Sequence, residues 1–126
     1  MSGDFTAELK QFIAQHVESL AQMEALLILR QDGQKVWRSP ELAQRLSIMP
    51  DMCEAILADL HRQGFAERLA EGEYRYRPNN ADVDRLVGNL ADVYQQRRVA
   101  VITEIYSKPV NKVQTFADAF RLRREE

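Results

Sequence analysis

The chain has little of the material from which catalytic and metal centres are built. Its 126 residues include one cysteine, Cys53, and two histidines, His16 and His61. A single cysteine excludes an internal disulfide and a cysteine-rich metal site, and two histidines leave little for a His-centred relay. There is no Gly-rich phosphate loop, no HExxH helix and no G-x-S-x-G elbow. Neither enzymatic activity nor a cofactor or metal is therefore expected. No apolar run approaches the roughly 18–20 residues that span a bilayer. Met1-Ser2-Gly3-Asp4 lacks the basic start and apolar stretch of a signal peptide. These features point to a cytoplasmic protein with no membrane partner. A charge excess is missing too. The formal net charge is −2, so no global basic field draws in nucleic acid.

Hydrophobic residues make up 45% of the chain and charged residues 29%, a balance that supports one buried core. The length suits a single domain over 1–126. There is no internal repeat. The pattern is mainly helical, with one small hairpin.

From Phe5 to Val17, Leu9, Phe12, Ile13 and His16 recur at helical spacing. Ser19-Leu20-Ala21-Gln22 reads as a capping box. The helix behind it carries Leu20, Met23, Leu26, Leu27 and Arg30, and stops near Asp32-Gly33. It is apolar on most sides between Ala25 and Leu29, which places it at the centre of the core. Lys35 to Arg38 is long enough only for a small strand. Ser39-Pro40-Glu41 is a helix start, with serine as the cap and proline in the first turn. Leu42, Ala43 and Leu46 give that short helix its buried face. The next helix runs from Pro50 to Gln63, buries Cys53, Ile56, Leu57 and Leu60, and ends at Gly64. Phe65 to Leu69 and Glu73 to Arg77 read as two strands joined by Ala70-Glu71-Gly72. In the second, Tyr74 and Tyr76 share one face, Arg75 and Arg77 the other. Asn80 caps a helix that reaches as far as Tyr106. Its stripe of Val83, Leu86, Val87, Leu90, Tyr94, Val101, Ile102 and Ile105 is interrupted at Gln95-Gln96-Arg97-Arg98. A last helix is expected at 112–124.

This order of helix, short strand, helix, turn, helix and hairpin resembles a winged helix-turn-helix. The resemblance covers residues 19–78. It rests on Ser39-Pro40-Glu41-Leu42-Ala43-Gln44-Arg45-Leu46-Ser47-Ile48 and on the helix ending Leu60-His61-Arg62-Gln63-Gly64-Phe65. More loosely the chain is similar to MarR-like and PadR-like regulators, on the strength of one helix before the core and long helices after it. The resemblance implies a winged-helix core with extra N- and C-terminal helices, 5–17 and 80–123. It makes the helix after the turn a recognition helix and Glu67 to Arg77 the wing.

It also implies a DNA-binding transcriptional regulator. Contacts would come from Arg38, Arg45, Arg62, Arg68, Arg75 and Arg77, which all lie in the motif or wing. The outward positions of the recognition helix speak against this. Asp51, Met52, Glu54, Ala55, Ala58, Asp59 and Arg62 offer three carboxylates to a phosphate field of the same sign. The wing arginines have an alternative too, a surface salt-bridged to Glu67, Glu71 and Glu73. A second reading is therefore a protein-interaction adaptor that keeps the fold without reading DNA.

The flanking helices suggest a homodimer through Leu9, Phe12, Ile13, Leu90, Tyr94, Val101 and Ile105, because a 60-residue core covers their apolar faces only in part. Packing of these helices against each other within one chain is the alternative. Cys53, on the buried stripe with Asp51 and Glu54 nearby, reads as a core residue, not a redox sensor. His61 reads as a half-exposed helix-end residue. Trp37 reads as a packing anchor, with ligand stacking as the other option.

Overall fold

In the computed structural model, residues 5–107 are described. The first helix, α1 (Ala7–His16), opens on Thr6, whose Oγ accepts from the Leu9 amide at 3.1 Å. The second, α2 (Leu20–Gln31), opens on Ser19, which accepts from the Gln22 amide. Gln22 completes the cap one residue upstream of the usual position, taking the Glu18 amide in place of that of Ser19. No residue from Leu20 to Arg30 is exposed. The all-round apolar character of this stretch is thus matched by a place at the centre, against α3, α4, α5 and the sheet defined below.

A two-residue strand, β1 (Trp37–Arg38), leads directly into α3 (Ser39–Leu46). Ser47 then takes a left-handed conformation (φ 59°) and turns the chain into α4 (Pro50–Arg62). Gly64, at φ +87°, ends α4. The Phe65 amide returns to the Leu60 carbonyl at 2.9 Å and the Gly64 amide to His61 at 3.1 Å, which is a Schellman closure. The hairpin β2 (Ala66–Ala70) and β3 (Glu73–Tyr76) follows. β1 adds to it, giving a three-stranded antiparallel sheet in the order β1-β3-β2. The short strand expected before Ser39 is therefore the hairpin's third strand. The fold is mainly α with this small sheet, a layout compatible with a winged helix.

Asn80 caps α5 (Ala81–Gln96) through the Val83 amide. The helix expected to run on towards Tyr106 breaks at Arg97 (φ −135°, ψ 56°), and α6 (Arg98–Tyr106) turns back onto α1 and α5. The break falls in the polar run Gln95 to Arg98, where no apolar side chain continues the stripe. Beyond it, Val101 and Ile105 enter the core. Tyr106 Oη accepts the Leu20 amide at 2.9 Å, which ties the end of α6 to the start of α2. The helix expected at 112–124 lies outside the described residues. Among the described residues, no helix is long and apolar enough to cross a membrane.

Two glycines allow backbone strain to be separated from a side-chain clash. A Cβ on Gly64 would stand 2.0 Å from Asn79 Nδ2, whereas one on Gly72 (φ +76°) would meet nothing within 4 Å. Each alanine substitution carries the left-handed penalty of about 1–2 kcal/mol. Gly64→Ala is expected to cost more than Gly72→Ala, because the Asn79 side chain must also leave its position against Gly64. Urea unfolding of both variants measures the difference. Equal losses would mean that Asn79 moves at no cost.

Candidate functional site

The surface singled out by the sequence is the outer side of α4 with the hairpin beside it. The helix turns Cys53, Leu57 and Leu60 inward, while Ile56 is only half-buried. The expectation that Glu54 and Asp59 point outward is corrected. Glu54 receives the Ser39 hydroxyl on one oxygen and the Tyr74 hydroxyl, at 2.9 Å, on the other. It thereby joins α4 to the start of α3 and to β3. Asp59 Oδ2 accepts from Gln22 Nε2 and from Gln63 Nε2, each at 2.7 Å, and its other oxygen accepts from Arg62. The buried amide of Gln22 needs that acceptor. Glu54 is thus held wholly, and Asp59 in part, by groups from other elements. The exposed residues of α4 are Pro50, Asp51, Met52, Ala55, His61 and Arg62, and Ala58 is half-buried. Of the three carboxylates counted against DNA, Asp51 alone remains there without a partner among the described residues.

Ser39 is corrected as well. It is the first helical residue, not the cap, and the cap position is held by Arg38 without a side-chain bond. Its hydroxyl is drawn away by Glu54. Burial, and then the Glu54 carboxylate beside it, push the Tyr74 phenol above its usual range, so it stays a donor.

Strand register decides what the arginines meet. Glu67 faces Arg75 and Arg38 faces Glu73 across the sheet. The matching ion pairs form at 2.6 Å and 3.1 Å. Arg77 reaches the other Glu67 oxygen at 3.3 Å. The Arg75 hydrogen bond, with Arg77 beyond it, holds the Glu67 carboxyl below its ordinary range. Arg62 pairs with Asp59 at 3.1 Å. Among the described residues, Arg68 and Arg45 have no carboxylate partner. Arg68 stands exposed on β2, whereas Arg45 lies on the far side of α3, lining two cavities. Across β1 and the hairpin, the four arginines Arg38, Arg68, Arg75 and Arg77 outnumber the three glutamates by one.

The seven residues considered for a two-fold interface lie elsewhere. Leu9, Phe12, Ile13, Leu90, Val101 and Ile105 are buried in the chain's own core, and Tyr94 is half-buried with its hydroxyl on Glu24 at 2.8 Å. Arg98 stacks on the Tyr94 ring at 4.9 Å. The α1, α5 and α6 faces cover one another, so none of the six is presented to a second copy.

Both histidines have structural partners, whereas the buried Trp37 indole nitrogen has none among the described residues. His61 Nδ1 lies 2.9 Å from the Ala66 carbonyl, and His16 Nδ1 lies 2.8 Å from Gln63 Oε1. Burial, with Glu54 adding to it, pushes the Cys53 thiol up to about 11, which leaves it protonated and inert at neutral pH. Trp37 is buried, with the Lys35 ammonium 4.7 Å from its ring centre. No group of histidines, cysteines and carboxylates that could hold a metal occurs among the described residues.

Sequence reasoning had no signal for the inward turn of Glu54 and Asp59, since their partners Ser39, Tyr74 and Gln22 come from other segments. It also missed the cavity between α2, α3 and α5. In comparisons with known proteins, no family model and no curated protein matches the chain.

Proposed function

We propose that this chain is a winged-helix transcriptional regulator that lays α4 in the DNA major groove and runs its hairpin along the phosphate backbone. One observation carries the reading. With Glu54 and Asp59 engaged inward, the outer face of α4 keeps Asp51 as its single free carboxylate and is flanked by Arg62, Arg68 and Arg38. The pairs made by Arg38 and Arg77 do not preclude phosphate contacts. Their side chains are 73% and 72% exposed. Exposed ion pairs contribute about 0–1 kcal/mol, so a phosphate can replace the glutamate.

The test is an electrophoretic shift series across salt concentrations. The wild type is expected to retard duplex DNA at low salt. Arg68→Ala is expected to weaken binding uniformly across sequences and to lower the slope of log affinity against log salt by about 1. Absence of any shift by the wild type at low salt would sink the proposal.

Adaptor activity is the second reading, favoured by a different observation. Met49 and Met52, at the start of α4, are 69% and 52% exposed, and methionine is an adaptable protein-docking side chain. Met49→Glu/Met52→Glu separates the two. A protein partner would be lost with both methionines, whereas phosphate contacts made by Arg62, Arg68 and Arg38 would persist with a smaller affinity.

A further inference from the structure

A cavity of about 530 Å³ opens between α2, the end of α3 and the last turns of α5. That size falls within the roughly 300–1,000 Å³ of small-molecule sites. Four charged side chains line it, and they divide into two kinds. Glu24 is held by the Tyr94 hydroxyl and by Arg98. Arg30 is held by Asp84 at 3.2 Å and packs over Gly88. Arg45, from α3, and Asp92, from α5, have no partner among the described residues. Leu27, Ile28, Leu46 and Ala91 supply the apolar lining, and the first three are half-buried against the core.

One uncommitted cation and one uncommitted anion thus line a single cavity with an apolar wall. We propose that this cavity binds a free α-amino acid with a large apolar side chain. The Arg45 guanidinium offers a planar fork to the ligand carboxylate. Asp92 accepts from the ligand ammonium. The side chain lies on Leu27, Ile28 and Leu46. An anion alone would leave Asp92 facing its negative charge, and a cation alone would leave Arg45 facing a positive one. A ligand carrying both charges satisfies both. Bound there, it would bridge α3 to α5.

The experiment is titration calorimetry on the full chain without nucleic acid, so its result stands apart from the DNA-binding reading. The probes are leucine, methionine, phenylalanine and tryptophan, each compared with its N-acetyl and carboxamide derivatives. Saturable heat is expected from at least one free amino acid. Blocking either end of that ligand is expected to weaken binding by about tenfold or more. Arg45→Ala and Asp92→Ala should each do the same. Where an alanine variant melts earlier than the wild type, Arg45→Gln or Asp92→Asn replaces it. The proposal is overturned if no free amino acid binds, if a blocked derivative binds as well as its parent, or if the variants bind unchanged.

Discussion

Replacing Glu54 by alanine is expected to destabilise the fold by about 2–4 kcal/mol, although the residue sits on the helix proposed to face DNA. Its carboxylate accepts hydroxyl donors from Ser39 and Tyr74, which are only 6% and 1% exposed. With the acceptor gone, both hydroxyls stay desolvated, and each buried unsatisfied group costs about 1–3 kcal/mol. The whole stability of a domain this size is on the order of 5–15 kcal/mol, so the loss is large. Urea denaturation followed by circular dichroism measures it. Adding Tyr74→Phe to the Glu54→Ala background should recover part of the loss, since the orphaned donor is then removed with its acceptor. A Glu54→Ala loss below about 0.5 kcal/mol is the value for an ordinary surface change. It would mean that the carboxylate faces solvent, and the charge pattern of α4 would revert to the acidic one.

The inward turn of Glu54 shows where sequence reading reached its limit. Periodicity placed Cys53, Leu57 and Leu60 inside correctly, because apolar side chains need only a buried direction. A carboxylate one residue from a buried position lies at the edge of that stripe, and its side is decided by what waits there. Here Tyr74 arrives from a strand twenty residues away, and no pattern local to the helix announces it. Caps show the same divide. Ser19 and Asn80 were legible because their bonds close within three residues. Ser39 carried the same local signature, but its hydroxyl was taken by a distant acceptor. The six arginines could be named from the chain. The partners of Arg38 and Arg75 required the register, which sets Glu67 opposite Arg75 and Glu73 opposite Arg38. The break at Arg97 was visible as a polar interruption, but the return of α6 over α1 was not.

The apolar faces of the flanking helices were ambiguous for a related reason, since a stripe says that a face is buried and not by what. Leu90→Ala distinguishes the possibilities. Leu90 is 0% exposed within one chain, on the side of α5 that enters the common core. Truncating a leucine in such a place costs about 2–5 kcal/mol, through lost transfer energy and the cavity left behind. Because the contacts are intramolecular, the shift in the unfolding midpoint is expected to be the same over a roughly hundredfold range of protein concentration. Were Leu90 instead part of a contact between two copies, the wild type would gain stability with concentration while the variant would not, and the gap between them would widen. A gap that grows with concentration would therefore remove Leu90 from the monomer core. It would also return α1, α5 and α6 to the surface that a second copy covers.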